Sequence, residues 1–123
     1  MTQPTSRRYT LRLTAELDEL IEARRVELEN DLTVRIQHTH DVTHVYATRD
    51  LIARGVLNVI SGVVELAPVT GATTHTIALY IPRVFDQTFA EIAAVCELTT
   101  HATLRALIVA GTGDTRGALT RNA

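Results

Sequence analysis

The sequence contains no tryptophan, no lysine and a single cysteine, Cys96, among its 123 residues. One cysteine excludes an internal disulfide framework and is typical of a reducing compartment. Three Tyr and two Phe are the only aromatic residues, so a core has to be built from Leu, Ile, Val and Ala. No apolar run approaches the ~20 residues of a membrane span, and residues 1–8 are too polar for a signal peptide. We therefore expect a cytoplasmic protein without a membrane partner.

An excess of one charge is also lacking, because 14 acidic residues oppose 12 arginines and leave a net charge of −2. This balance argues against coating nucleic acid through bulk charge but allows a local basic patch. The charges are placed unevenly: residues 1–15 contain three Arg and no acid, whereas residues 16–31 contain seven acids and two Arg. A basic first strand and an acidic first helix should therefore face different ways.

Two stretches of the chain change from a strand period to a helical period. In residues 8–13 apolar and polar side chains alternate, and beyond them the apolar residues fall three or four apart. The same change occurs in residues 76–89, where Pro82 ends the strand. A constant shift along the chain superposes the two stretches. It pairs Leu17 with Phe85, Asp18 with Asp86 and Leu28 with Cys96.

A second helix is predicted in each copy. In the second copy Thr99 and Thr100 are candidate N-caps and Gly111 is the candidate stop. In the first copy the corresponding residues are Thr48 as the cap and Gly62 as the stop. Aligning these second helices pairs Val45 with Leu98, a smaller shift than the one that superposes the first helices. The first copy is therefore predicted to carry an insertion.

The chain is thus predicted to be an α+β protein in which strand, helix and helix occur twice. A lone strand needs a hydrogen-bonding partner, and the second copy supplies one. We predict a two-stranded antiparallel ribbon on four helices, with Thr10 opposite Ala78, formed within one chain or by strand exchange between two chains. The predicted organisation is a first unit (1–62), a linker (63–73), a second unit (74–111) and a tail (112–123).

This pattern resembles the ribbon-helix-helix family of DNA-binding proteins, which includes the MetJ and Arc repressors. In that family a two-stranded ribbon enters the major groove, and the amino ends of the second helices hold flanking phosphates. The resemblance covers nearly the whole chain apart from the insertion, linker and tail. The stretches that carry it are YTLRLTAELDELI and TRDLIARGVL in the first unit, and TIALYIPRVFDQTF and LTTHATLRALIVAG in the second.

The resemblance implies two sets of DNA-contacting residues. Arginine suits base reading because its guanidinium can bond guanine O6 and N7 together. The alternative for the strand residues is an ordinary solvated face, and Tyr80 could instead pack against the insertion. The two strands differ, so an asymmetric DNA site is expected. The base-reading set is Arg8, Thr10, Arg12, Thr76, Ala78 and Tyr80. The phosphate set is Arg7, Thr48, Arg49, Thr99 and Thr100.

The insertion lies within residues 30–44 and is predicted to be extended, because Val34, Ile36, His38, His40 and Val42 alternate with other residues. It could cover the core, contact DNA or mediate association between chains. His38 and His40 would share one face of a strand, and with Asp41 and His44 they raise the question of a zinc site. The lack of cysteine ligands or of a compact ligand pattern elsewhere argues against one. We expect neither a metal nor another cofactor.

The function implied by the resemblance is sequence-specific binding of double-stranded DNA without catalysis, most commonly for transcriptional repression. A plasmid relaxosome or partition accessory protein is the alternative within DNA binding, and an antitoxin-like protein-binding module is the alternative outside it. Self-association on adjacent DNA sites stays open. The sequence offers no convincing pairing of a nucleophile with a base. The glycines of AGTGDTRG follow a helix and lack a lysine, unlike a phosphate-binding loop.

Overall fold

Residues 5–37 and 42–113, which the structure describes, form one strand followed by three helices and then a second strand followed by two helices. The structure is a computed structural model. It confirms the α+β class with a two-stranded antiparallel sheet, and it contains one helix more than predicted. The elements are β1 (Ser6–Thr14), α1 (Ala15–Glu29), α2 (Leu32–Gln37), α3 (His44–Ile60), β2 (Thr73–Pro82), α4 (Asp86–Cys96) and α5 (Thr100–Gly111).

The two strands pair antiparallel within the chain, and their register is the predicted one, with Thr10 opposite Ala78. Alternation along the strands places one face against the helices and the other toward solvent. The inner face is buried at Tyr9, Leu11 and Leu79. A slip of one position would turn this apolar face outward, so burial fixes the register.

The first helix begins at the end of the first strand because Thr14 caps it. The Thr14 hydroxyl accepts a hydrogen bond from the Leu17 N–H at 3.1 Å. Leu17, Ile21 and Leu28 bury one face of α1 beneath the ribbon. On its other face Arg25 lies within 2.7 Å of Glu22 and 2.6 Å of Glu29. Two acidic residues of α1 thus share one arginine of the same helix.

The prediction of an extended insertion is wrong for its first half, where the chain forms α2. The Asp31 carboxylate accepts hydrogen bonds from the N–H groups of Thr33 and Val34, at 2.8 and 3.3 Å, and so starts a helical turn. An alternating pattern specifies a strand only when a neighbouring strand offers backbone partners, and here no described strand pairs with it. His38, His40 and Asp41 lie outside the described residues, as does the predicted tail from position 114 to 123.

The third helix begins earlier than Thr48 would place it, because its N-cap is Thr43. The Thr43 hydroxyl accepts from the Tyr46 N–H at 3.1 Å. Thr48 is buried within the helix, where its hydroxyl donates to the His44 carbonyl at 2.7 Å. The cap predicted for α5 is correct, since Thr99 accepts from the Ala102 N–H at 3.1 Å.

The predicted alignment of the second helices, Val45 with Leu98, is therefore wrong. Their N-caps place Thr43 opposite Thr99, and Val45 opposite His101. The same alignment brings the segment RDLIARG (49–55) onto RALIVAG (105–111) without a gap. The insertion in the first unit is accordingly shorter than predicted.

The predicted stop of the third helix is confirmed. Gly62 has a φ of +78° just past the end of α3, a left-handed conformation that favours glycine. Its N–H donates to the Val59 carbonyl at 3.1 Å, which satisfies one of the free carbonyls at the helix end.

Helices α3 and α5 cross in direct backbone contact, and this contact corrects the role given to Gly111. A Cβ at Gly55 would lie well inside 3.0 Å of the Leu107 carbonyl, and one at Gly111 equally close to the Leu51 carbonyl. The two contacts are equivalent in the alignment of the helices. Gly111 is still helical and is needed for close packing, whereas the left-handed turn comes at Gly113, with a φ of +64°.

The core lies between the inner face of the ribbon and the crossing helices. Leu51, Leu104, Leu107 and Ile108 are fully buried there. Within the described ranges no single helix has the length and apolar composition to cross a membrane. The segments Arg83–Cys96 and Thr100–Gly111 meet the criterion only as a pair, with a bend of 92° between them.

We expect Gly55→Ala to destabilise the protein by about 3 kcal/mol or more, because overpacking would push the backbones of α3 and α5 apart. Gly62→Ala is the matched control. A Cβ at Gly62 meets nothing within 4 Å, so only the left-handed conformation adds a cost, of about 1 kcal/mol. Urea unfolding followed by circular dichroism measures both. Equal losses for the two variants would contradict the close crossing.

Candidate nucleic-acid interface

The outer face of the ribbon brings together all six residues of the predicted base-reading set. The strand register pairs Arg8 with Tyr80, Thr10 with Ala78 and Arg12 with Thr76. Five of the six are exposed and Ala78 is half-buried. The side chain of Tyr80, which the sequence left open, points to solvent with 56% of its surface exposed.

Arg8 and Arg12 stand out on this face because, among the described residues, neither guanidinium has an ion pair or a hydrogen bond. Four other arginines of the described chain, Arg7, Arg24, Arg25 and Arg83, lie within 4.0 Å of a carboxylate. Arg24, for example, donates to Asp50 at 2.6 Å. The outer face therefore presents two unneutralised positive charges on one strand, and none of its six residues is acidic.

At each end of the ribbon, a side chain from the strand of one unit contacts a carboxylate on the first helix of the other unit. The Arg7 guanidinium lies 3.3 Å from the Asp86 carboxylate, and His75 Nδ1 lies 2.9 Å from the Asp18 carboxylate. The shift that superposes the two units relates these pairs, since Arg7 corresponds to His75 and Asp18 to Asp86. The side chain of Arg7, a predicted phosphate contact, is half exposed and is already paired with Asp86.

One of these two sites has an additional hydrogen bond that the other lacks. The Tyr9 hydroxyl donates to Asp86 Oδ1 at 2.8 Å. At the equivalent position the other strand carries Ile77, which has no donor. Asp18 Oδ1 is accordingly buried without a hydrogen-bond partner among the described residues. Burial first, and then the hydrogen bond to Asp86, raises the pKa of Tyr9 above its ordinary value of 10.0.

The amino ends of α3 and α5 lie beside the two strands. The ring of His101, in the first turn of α5, packs edge-on against Tyr9 on β1, with 6.3 Å between ring centroids. On the other side Arg49 of α3 donates to the Tyr80 carbonyl on β2, at 3.4 Å. Unpaired N–H groups at a helix start favour anions. These helix starts therefore lie beside the ribbon, one next to each strand.

Only some of the residues predicted to contact phosphate lie at an exposed helix start. Thr48 is excluded, because its side chain is buried and already bonded within the helix. Thr99 caps α5 and Thr100 is its first residue, so both lie at the predicted position. Arg49 is exposed, and its guanidinium has no acidic partner among the described residues.

The sequence prediction missed three residues in or next to the first two turns of these helices: Thr43, His44 and Arg105. Thr43 and His44 correspond to Thr99 and Thr100 in the alignment of the two helices, and Arg105 corresponds to Arg49. The signal that would have found them is the repeated pattern R-x-L-I-x-x-G, which aligns the two helices without a gap.

The start of α3 is held against α1 by a small charged cluster. His44 Nε2 lies 2.7 Å from Glu22, which also accepts from Arg25 Nε at 2.8 Å. The hydrogen bond from Arg25, and then that from His44, lowers the pKa of Glu22 from 4.5 to about 2. Together with the bond between Arg24 and Asp50, this cluster fixes the orientation of α3 relative to α1.

Comparison with known proteins leaves the family open. No protein-family model, no curated protein and no solved structure matches this chain. Its relation to the ribbon-helix-helix family therefore depends on the residues and geometry described above.

We expect Tyr9→Phe to lower the free energy of unfolding by about 1 kcal/mol at neutral pH, because Asp86 Oδ1 loses its hydrogen-bond donor. A raised pKa means that the folded state keeps the phenol proton longer than the unfolded chain does. The stability that Tyr9 contributes is thus fully present below pH 10.0 and is lost as the pH rises through its raised pKa. The difference between wild type and variant should shrink above pH 10.0.

Urea unfolding at a series of pH values measures this difference. Tyr80→Phe is the control, because its phenol is exposed on the opposite face of the ribbon and should not affect stability. If Tyr9→Phe matched the wild type at every pH, the bond to Asp86 would carry no stabilisation.

Proposed function

We propose that this chain is a sequence-specific double-stranded DNA-binding protein that acts as a transcriptional repressor. In this proposal it consists of two fused ribbon-helix-helix units, and its β-ribbon reads the major groove. The single observation that carries the proposal is the outer face of the ribbon. Arg8 and Arg12 stand there without acidic partners among the described residues, above an inner face that anchors both strands in the core.

The dimensions of the ribbon suit a major groove. Two paired strands are ~4.8 Å apart, and the groove of B-DNA is ~12 Å wide, which admits a two-stranded ribbon. Side chains on the outer face alternate with buried ones, so the readers occupy every second position of a strand. Arg8, Thr10 and Arg12 would then face base edges along the groove, and Tyr80 and Ala78 would offer apolar contact to thymine methyl groups.

The helix starts beside the ribbon supply the second half of the proposed interface. Backbone N–H groups at the beginnings of α3 and α5 would bind one phosphate on each side of the groove. Arg49 and Arg105 lie in the second turns of the two helices and would add positive charge. Such phosphate contacts orient a protein on the duplex, whereas the ribbon residues would select the sequence.

The charge distribution supports a one-sided interface despite the net charge of −2. The acidic residues of α1 are partly paired with Arg24 and Arg25 of the same helix. A DNA molecule approaching the outer face of the ribbon would meet the unpaired guanidinium groups first. Affinity should accordingly fall as salt rises, because phosphate contacts release counterions.

We expect Arg12→Ala to weaken binding to a selected duplex by roughly 5- to 100-fold, which corresponds to the loss of one bidentate base contact. Stability should not change, since the side chain is exposed and has no described partner. Arg35→Ala is the matched control, because α2 follows the far end of α1, about 22 Å along its axis from β1. Fluorescence anisotropy at fixed salt measures affinity, and thermal unfolding checks the fold.

Unchanged affinity of the Arg12→Ala variant for its selected duplex would contradict base reading by the ribbon. A loss that is equal for selected and random duplexes would show that Arg12 contacts phosphate instead.

We further expect the preferred DNA site to be non-palindromic. The β1 strand presents two arginines, whereas β2 presents Thr76, Ala78 and Tyr80, so guanine preference should fall on one half of the site. Selection of binding sites from random duplexes, followed by sequencing, measures this directly. A perfectly palindromic consensus would indicate two chains bound symmetrically and would contradict reading by one asymmetric ribbon.

A protein-binding role is the second candidate, and exposed apolar side chains away from the ribbon favour it. Leu32 and Ile36 on α2 and Val95 on α4 each expose at least 72% of their surface. Under this alternative, purification from the native host should recover a stoichiometric protein partner and little DNA. A plasmid relaxosome or partition role would keep the ribbon interface and differ only in the location of the selected site.

A further inference from the structure

The pseudo-symmetry of the fold is broken just before α4, and a cavity results. Helix α1 packs against both α3 and α5, whereas its counterpart α4 packs against α5 but leaves a gap over α3. The gap is a cavity of about 360 Å³. Its apolar lining includes Ile52, Val56, Leu57, Ile81, Phe85 and Phe89.

The cause of the gap lies in the chain just before α4. After Pro82 the chain makes a 3₁₀ turn, Arg83–Phe85, which delays the start of α4. In the other unit α1 follows β1 directly. Phe85 therefore keeps 40% of its surface exposed, whereas its counterpart Leu17 keeps 1%. The apolar wall of the cavity is a consequence of this delayed helix.

Among the described residues that line the cavity, one is charged. Arg49 reaches its edge from α3, and within the described part of the chain its only hydrogen bond is the long one to the Tyr80 carbonyl. A planar guanidinium binds a carboxylate in bidentate fashion. One arginine balances one negative charge, so a monocarboxylate fits this edge better than a dianionic phosphate monoester.

The volume of the cavity limits the range of possible ligands further. Ligand sites in proteins commonly measure ~300–1,000 Å³ and combine an apolar lining with few polar groups. At about 30 Å³ for a water-sized group, the cavity holds roughly twelve methylene-sized groups. We propose that it binds a small amphipathic carboxylate, with the hydrocarbon part between α3 and α4 and the carboxylate on Arg49.

The same ligand would oppose DNA binding. This second step rests on the proposed function, in which Arg49 lies beside the ribbon and contributes positive charge toward a phosphate. A carboxylate on Arg49 would neutralise that charge, so each ligand lowers the affinity of the other by the same factor. The cavity would then be an inducer site between α3 of the first unit and α4 of the second.

Decanoate is a suitable probe, because its hydrocarbon chain suits the volume and apolar lining of the cavity and its charge is opposite to that of Arg49. We expect isothermal titration calorimetry with the full chain, in the absence of DNA, to detect saturable binding of one decanoate. Decanol should bind more weakly, and decyltrimethylammonium, which reverses the charge, should not bind measurably. Arg49→Gln should weaken decanoate binding by about tenfold and leave decanol binding unchanged.

Two matched variants test the position of the ligand. Ala53→Phe places a large ring in the cavity from an exposed position of α3 and should abolish decanoate binding. Ala94→Phe makes the same change at an exposed position of α4 outside the lining and should leave it unaffected. Both variants should unfold at temperatures close to that of the wild type.

Several results would overturn the proposal. The proposal is wrong if decanoate does not bind, if the Ala53→Phe variant binds decanoate as tightly as the wild type does, or if decyltrimethylammonium binds as tightly as decanoate. A chain dimer in sedimentation that Ala53→Phe disrupts and decanoate leaves intact would show that a second copy fills the cavity instead.

The effect of decanoate on DNA binding is measured separately, with the wild type and the Ala53→Phe variant bound to a selected duplex. Decanoate should reduce the affinity of the wild type and not that of the variant. Decanoate binding without any DNA binding would refute the proposed function and leave the ligand site standing. DNA binding that ignores saturating decanoate would refute the coupling alone.

Discussion

Every other contact in this fold is arranged around the antiparallel ladder that is centred on Thr10 and Ala78. Pairing of the two strands removes their unsatisfied backbone groups and gives both of them a shared apolar face. Because the ladder is antiparallel, the helix that follows each strand leaves from the opposite end of the ribbon. Helices α3 and α5 then meet beneath it, where Gly55 and Gly111 permit backbone contact. The two-fold pattern of the whole domain is thus set by one short sheet.

Departures from that two-fold pattern are as informative as the pattern itself. Tyr9 donates to Asp86, whereas Ile77 leaves Asp18 with an oxygen that lacks a described partner. A 3₁₀ turn separates β2 from α4, whereas α1 follows β1 at once. Each departure gives one side of the molecule a chemistry that the other side lacks. The ribbon follows the same rule, since the outer face of one strand carries two arginines and that of the other carries none.

The sequence was sufficient to predict the ribbon because strand alternation is a local signal and a two-stranded sheet allows few registers. The second helices were misaligned because several threonines could serve as N-caps, although the repeated pattern R-x-L-I-x-x-G and the tertiary contact of Gly55 both give the correct alignment. Thr48 looked like a cap and is a core residue. The insertion was misjudged because alternation without a neighbouring strand is compatible with a helix. The outward position of Arg8 and Arg12 could be predicted, but their lack of acidic partners could not.

The intrachain ribbon has a consequence for how the protein behaves at low abundance. When both strands belong to one polypeptide, their encounter is unimolecular, and dilution cannot separate them. A homodimer of similar units would instead lose its structure below its dissociation constant, because its folding is inseparable from protomer concentration. A cell could therefore keep only a few copies of this chain and still retain every one in folded form. Each strand is also free to mutate without altering a symmetry mate.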